Sequence, residues 1–221
     1  MARSRSPRRS ASSTTGSARP EYSRPTLAWL QITINAGASD AIYLRGFNID
    51  GLGTGGYGVL FNSGGSLAVT NCVVRHFSST GIGIAPSSGT TLFSITNTIV
   101  SDNGTTGIYL GPVGTGSAKG TVTSVEASRN YIGIVVEGGG STGTATFVLV
   151  SDASANNNSY AGISAEGAVK PAITRSTASG NNGYGVYVNS GTVYTYGDNR
   201  ILGNSSKDIF VNGSLTLVSG S

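Results

Sequence analysis

Two glutamates occupy equivalent positions in neighbouring repeats of the chain, and their carboxyl groups are the ones best placed for acid–base chemistry. Glu137 and Glu166 each follow a glycine by four positions. Stacked parallel strands bring such carboxyl groups within about 5–8 Å of each other, a separation compatible with work on a glycosidic bond. Other repeats carry asparagine at this position, which is typical of a column of polar turns. We favour the polar turn and keep catalysis by Glu137 and Glu166 as the alternative.

The sequence predicts no metal centre and no cofactor. Calcium takes more oxygen ligands than two carboxylates supply, so calcium binding by the glutamate pair is kept only as an alternative. The single histidine, His76, has no cysteine or second histidine in repeat register with which to hold a transition metal. The single cysteine, Cys72, excludes a disulfide within the chain.

Three aromatic residues have a spacing suited to sugar binding. Tyr109, Tyr187 and Phe210 each lie two positions after the first residue of their repeat, on the side of a strand that is expected to face solvent. Tyr109 and Tyr187 are three repeats apart, roughly 14 Å at one strand spacing per repeat, so they would contact different sugars of one polymer. Aromatic residues are also good strand formers, and a purely structural role is the alternative.

A signature that recurs seven times positions these residues. Each copy is a glycine, or an aspartate in the last copy, followed by a short strand with apolar residues at alternate positions. The copies begin at Gly58, Gly81, Gly107, Gly133, Gly162, Gly185 and Asp208. Their steps of 23 to 29 residues predict a solenoid in which extra residues loop outward at one corner. Those loops are residues 111–120, 137–144 and 166–170.

Two further columns predict the other corners of each coil. The first column is Asn48, Asn71, Asn97, Ser124, Asp152, Arg175 and Asp198. The second is Thr54, Phe77, Asn103, Asn130, Asn158, Asn181 and Asn204. Asparagine tolerates a left-handed backbone, and its amide can bond to the amide stacked above it.

Three short strands between the corners point their apolar residues inward. One inward column is Val69, Ile95, Val122, Val150, Ile173 and Tyr196. Three apolar faces that meet at one axis predict a filled core, with no room for a ligand inside.

Three strands per coil, an asparagine column at a tight corner and loops at another corner resemble the right-handed parallel β-helix of the pectate-lyase-like group. The resemblance covers roughly residues 30–221 and is nearest to uncharacterised bacterial members. It implies an all-β solenoid of about seven coils of 23–29 residues. It also implies an extracellular or cell-surface location, and places any active site on the outward side of the glycine-led strand or at its flanking corners.

The chain departs from the enzymes of that group. The lyases use a basic residue beside acidic calcium ligands, and the hydrolases use clustered aspartates. The outward positions here are Leu60, Gly83, Tyr109, Val135, Ser164, Tyr187 and Phe210. None of these side chains transfers a proton at neutral pH, which argues against catalysis on this face.

Composition divides the chain into a tail and a body. Residues 1–25 are rich in Arg, Ser and Pro, which predicts a disordered basic tail or a start that is not the natural one. This tail has no apolar stretch of the kind that a secretory signal needs. Residues 26–221 are the predicted β-helix domain. Beyond residue 24 the chain holds eight basic and nine acidic residues, a balance that argues against nucleic-acid binding, and no apolar run is long enough to span a bilayer.

These patterns favour a non-catalytic β-helix protein that binds polysaccharide or a cell-surface glycan. The alternative is a degenerate or truncated carbohydrate-active enzyme, either a polysaccharide lyase or a glycoside hydrolase. A third hypothesis is a structural segment that associates end to end, because an uncapped strand edge templates pairing with another chain.

Overall fold

A computed structural model describes residues 31–142 and 146–218 of the chain. The predicted basic tail, residues 1–25, lies outside the described residues. Within the described part all regular structure is β-strand, and no helix there could cross a membrane. The strands are β1 (Ile32–Asn35), β2 (Ala41–Arg45), β3 (Asn48–Thr54), β4 (Tyr57–Ser63), β5 (Ser66–Thr70), β6 (Val73–Phe77), β7 (Thr80–Ile84), β8 (Thr90–Thr96), β9 (Ile99–Ser101), β10 (Thr106–Leu110), β11 (Ser117–Thr123), β12 (Glu126–Ser128), β13 (Ile132–Glu137), β14 (Phe147–Ser151), β15 (Ala161–Glu166), β16 (Ala172–Thr174), β17 (Tyr184–Thr195) and β18 (Lys207–Leu217).

Each coil contributes strands to three parallel sheets, which confirms the predicted solenoid. The first sheet stacks the glycine-led strands β1, β4, β7, β10, β13, β15, β17 and β18. The second stacks β2, β5, β8, β11, β14, β16 and the end of β17. The third stacks β3, β6, β9 and β12, and single bridging residues at Ser154, Thr177 and Arg200 continue it. The chain therefore makes seven coils, and β18 begins an eighth.

The first coil is complete, because β3 supplies its third strand. In the seventh coil β17 runs from the first sheet into the second without a loop, since only Ser190 and Gly191 separate the two paired segments. The first predicted outward loop is shorter than residues 111–120, because β11 begins at Ser117.

The inward column of the first sheet forms the dry core, as predicted. Its members lie in register from one coil to the next: Ile32, Val59, Ile82, Ile108, Ile134, Ile163, Val186 and Ile209. The side chains from Val59 to Val186 are buried. In the second sheet Thr195, and not Tyr196, continues the inward column after Ile173, and Tyr196 is half exposed. The prediction for Tyr196 was wrong because the seventh coil is one residue shorter at this point than the spacing of 23 assumes.

The corner between the second and third sheets requires a left-handed residue. Asn71, Asn97, Ser124, Asp152 and Arg175 have φ between 45° and 54°. At the two ends of the column the left-handed residues are glycines 46 and 197, so the prediction of Asn48 and Asp198 was wrong. Glycine adopts this conformation without steric cost, and the end coils place it where the turn occurs.

The predicted asparagine column is a continuous hydrogen-bonded ladder of buried side chains. Oδ1 of Asn130 accepts from the backbone N–H and the amide of Asn103, each at 3.0 Å. Asn158 and Asn181 repeat the pattern two coils further on, with bonds of 2.9 and 3.0 Å. The left-handed residue is the one before each asparagine, such as Asp102, so the column itself is selected for its amide and not for its backbone.

The glycine column exists because the asparagine column occupies the adjoining space. A Cβ added to Gly81, Gly107, Gly133, Gly162 or Gly185 would lie 2.6–2.9 Å from the Nδ2 atom of the asparagine in the following coil. Real Cβ atoms do not approach other atoms so closely. In the last signature Asp208 replaces the glycine, and its Oδ1 accepts from the N–H and Nδ2 of Asn204 at 3.1 and 3.0 Å. The carboxylate thus ends the ladder in place of a further asparagine.

Replacing Asn158 by alanine should lower the free energy of unfolding by about 2–3 kcal/mol, because the buried N–H of Asn130 loses its acceptor. Urea unfolding followed by circular dichroism measures the loss. Asn212 is the matched control, since its amide bonds to Asn189 in solvent, and Asn212→Ala should cost less than about 0.5 kcal/mol. Equal losses in the two variants would contradict the buried ladder.

Acid should destabilise the fold through its bonded aspartates. Hydrogen bonds from Arg129 and Arg175 lower the pKa of Asp102 and Asp152, and hydrogen bonds from Asn204 lower the pKa of Asp208. Because the folded pKa lies below the ordinary 3.8, this stabilisation is complete above about pH 4 and is lost as the pH falls further. Asp208→Asn keeps an acceptor that does not titrate. Its urea midpoint should fall less than that of the wild type between about pH 5 and about pH 3; parallel curves would show that Asp208 contributes nothing.

Candidate functional site

The outward residues of the first sheet form one straight row, as predicted. Tyr109, Val135, Ser164, Tyr187 and Phe210 lie in register on successive coils from β10 to β18. Their neighbours in each strand belong to the core, so the side chains of this row lie on the outer face.

Five aromatic rings pack side by side on this face, and we call them the aromatic strip: Tyr131, Tyr160, Tyr184, Tyr187 and Phe210. Tyr131 stacks on Tyr160 with 5.2 Å between ring centroids, and Tyr187 stacks on Phe210 at 5.0 Å. Tyr160 joins the two pairs, with its centroid 5.7 Å from that of Tyr187. The strip crosses four successive coils and is roughly 14 Å long at one strand spacing per coil.

The strip is uncharged; Tyr131 is exposed, and the other four rings are half-buried. Burial and a hydrogen bond with Tyr187 raise the pKa of Tyr160 to about 12, so its phenol stays neutral at physiological pH. The ammonium group of Lys207 lies 5.8 Å from the centroid of the Phe210 ring and places a cation at the C-terminal end of the strip. The rings therefore offer apolar faces together with hydroxyl groups that both donate and accept hydrogen bonds.

Tyr187 and Phe210 of the predicted aromatic set belong to the strip, whereas Tyr109 makes a different contact. Its phenol donates a hydrogen bond of 2.8 Å to Oε2 of Glu137. Burial and the negative charge of Glu137 raise the pKa of Tyr109 well above its usual range, so the phenol stays a donor.

Sequence reasoning missed three members of the strip, namely Tyr131, Tyr160 and Tyr184. They come one or two residues before the glycine of their repeat, a position to which the sequence analysis gave no role. The signal is present in the sequence, because a tyrosine precedes the glycine at Tyr57, Tyr131, Tyr160 and Tyr184.

The two glutamates are neighbours, as their spacing predicts. Glu137 pairs with Glu166 across β13 and β15. Each carboxylate has a donor on the same face, because Tyr109 binds Glu137 and the buried Ser164 donates to Oε1 of Glu166 at 2.7 Å. These bonds hold both carboxylates along the outer edge of the first sheet.

The predicted polar column continues on both sides of the glutamates. The Asn62 amide donates to Oδ1 of Asn35 at 3.0 Å, and the Asn212 amide donates to Oδ1 of Asn189 at 3.1 Å. Glu166 aligns with Ser190 and not with Asn189, because the register shifts by one residue there. The column is therefore an amide ladder at its ends and a carboxylate pair in its middle.

Within residues 31–142 and 146–218, no group of three or more His, Cys, Asp or Glu side chains is arranged to hold a metal ion. Nδ1 of His76 lies 3.1 Å from the carboxylate of Asp50 on the previous coil, so this ring makes a polar contact at a corner.

The family comparison agrees with this geometry. A family model described as the right-handed beta helix region matches residues 57–221, which is more than half of the chain. The searches of curated proteins and of solved structures found no match. The match covers the six glycine-led repeats, the asparagine ladder and the whole aromatic strip, and the chain belongs to the right-handed β-helix family.

Proposed function

We propose that the protein binds glycans through the aromatic strip and does not cleave them. The observation that supports this most directly is the contact of five solvent-accessible rings, four of them half-buried, across four coils. The C–H face of a sugar ring is apolar and packs on an aromatic face, while its hydroxyl groups bond to phenols at the ring edge. A strip that follows the axis of the solenoid offers such faces in succession, which suits a polymer. The proposal implies that the protein works outside the cell or at its surface.

Charge around the strip favours neutral glycans. The carboxylates of Glu137 and Glu166 lie on the same sheet, and Tyr187 is in register with Ser164, the donor to Glu166. An acidic polymer would meet these two negative charges, whereas the cation placed on the strip is Lys207 at its C-terminal end. Single-stranded nucleic acid also stacks on aromatic rings, but it requires a cationic groove along its backbone. We therefore infer a neutral polysaccharide as the ligand class.

A second candidate function, glycoside hydrolysis, is favoured by one observation. Glu137 and Glu166 are paired in register on adjacent strands, and Tyr109 and Ser164 orient their carboxylates. Two oriented carboxyl groups are the chemical minimum for hydrolysis of a glycosidic bond. The enzyme would then use the aromatic strip as its binding site for the rest of the polymer.

Alanine at Tyr187 or Tyr160 should weaken binding of neutral oligosaccharides about tenfold, because each change removes a ring from the middle of the strip. Titration calorimetry with cello-, xylo- and manno-oligosaccharides measures the effect. Tyr43 is the matched control, since it is a 76 % exposed tyrosine on the second sheet, and Tyr43→Ala should change no affinity. The proposal fails if Tyr43→Ala weakens binding equally, or if oligogalacturonate binds more tightly than the neutral sugars.

Turnover separates the two candidate functions. Incubation with the sugars that bind, followed by assays for reducing ends and for unsaturated ends, should yield no product. Glu137→Gln and Glu166→Gln should then keep affinity for neutral sugars within about twofold, because both variants preserve the hydrogen-bond acceptors. Product that forms with the wild type and disappears in either variant would establish hydrolysis instead.

A further inference from the structure

The last strand leaves the apolar core open at the C-terminal end of the solenoid. Ile209, Val211 and Leu215 of β18 point inward but are 40–42 % exposed. Their partners one coil earlier are Val186, Val188 and Val193, which are at most 2 % exposed. An apolar hollow of about 30 Å³ opens beside them. Apolar surface of this kind is stabilised when another rung covers it.

The backbone of β18 is open on the same side. Among the described strands β18 pairs with β17 alone. In the described part of the chain, β1 at the opposite end pairs with β4 alone, and β2 pairs with β5 alone. Each of these edges presents a row of N–H and C=O groups that can accept another parallel strand.

The two ends match column by column. The inward column that ends at Ile209 begins at Ile32, and the column that ends at Val211 begins at Ile34. In the second sheet, the column that ends at Leu217 begins at Leu44. A β1–β2 pair placed on β18 with the internal register would therefore continue each column with an apolar residue.

The exposed amides at the two ends also fit each other. Within the chain, each asparagine of the polar column donates to the one on the preceding coil, as Asn62 does to Asn35 and Asn212 does to Asn189. In the described part of the chain, no side-chain hydrogen bond uses Oδ1 of Asn212 at one end or Nδ2 of Asn35 at the other. The amide of Asn35 from a second chain would donate to Asn212 in the same sense as every internal rung.

We propose that a second copy of this chain docks β1 and β2 onto β18, parallel and in the internal register. The contact is heterologous, because different surfaces of the two copies meet, and it repeats into an open row of molecules. It involves the first and second sheets. A tail-to-tail dimer would pair β18 with itself in antiparallel orientation, which breaks both the column match and the direction of the amide bonds.

Cysteine cross-linking tests the direction of docking. Full-length Asn35→Cys and Asn212→Cys proteins are mixed under mild oxidation, and the buried Cys72 leaves little background. Neighbouring parallel strands lie about 4.8 Å apart, within reach of a disulfide. Disulfides that join one copy of each variant should exceed the self-linked species at least tenfold. The double variant Asn189→Cys with Asn212→Cys is the positive control, because its disulfide forms within one chain. Predominance of self-linked species, or no cross-link while the control forms, overturns the proposal.

Mass against concentration tests the strength of the contact. Sedimentation of the wild type should show an average mass that rises beyond that of a dimer. Leu217→Lys should raise the dissociation constant at least tenfold by placing a charge in the docked core. Leu92→Lys is the matched control, because Leu92 is 57 % exposed on the outer face of the second sheet and Leu217 is 67 % exposed at the end. An average mass that remains at the monomer value, or does not rise beyond the dimer value, contradicts head-to-tail docking. Equal changes of the dissociation constant in Leu217→Lys and Leu92→Lys also contradict it.

Discussion

The hydrogen bonds of the asparagine ladder fix the register on which every other feature depends. The Oδ1 atom of each buried asparagine after Asn103 accepts hydrogen bonds from both the backbone N–H and the side-chain amide of the asparagine one coil earlier, as Asn130 does from Asn103. Neighbouring coils therefore cannot shift in register. The ladder also imposes the glycine column, because a Cβ there would collide with an asparagine amide such as that of Asn158. A substitution in either column therefore disturbs the other. At the C-terminal end Asp208 serves both columns, since it stands in the glycine position and its carboxylate replaces the next amide.

Constant register turns a short sequence pattern into a binding surface. A residue type that recurs at one position appears as a row along the axis, one strand spacing apart. The tyrosines beside the glycine and the rings two positions after it come from different parts of the signature, yet their rings meet on the outer face of the first sheet. Tyr160 belongs to the first group and Tyr187 to the second, and their rings lie 5.7 Å apart. The same register pairs Glu137 with Glu166, so it aligns both the rings of the aromatic strip and the two carboxylates on the same sheet.

Most of the fold could be predicted from the repeat. The errors came where the number of residues between corners changes from one coil to another. The positions of the inward residues and of the five asparagines follow from spacing alone, because each position of the repeat recurs once per coil. Asn48, Asp198 and Tyr196 were misplaced in the end coils, where the corners differ in length from those in the middle. The partner that a side chain contacts does not follow from spacing either. Tyr109 was therefore grouped with Tyr187, although its phenol binds Glu137, and Tyr131 was overlooked.

The position of the strip on the solenoid links sugar binding to association. Phe210 and Lys207 belong to β18, so the strip reaches the edge on which a second copy would dock. Parallel docking in register keeps outward residues outward, and Thr33 of the second copy would follow Phe210 on the same face. Association would thus lengthen this face without covering it. Several strips on one rod raise the effective concentration of binding sites for a long polymer, so weak contacts at each strip add up to firm retention. A short sugar gains nothing from this arrangement, which is why the geometry suits a polysaccharide.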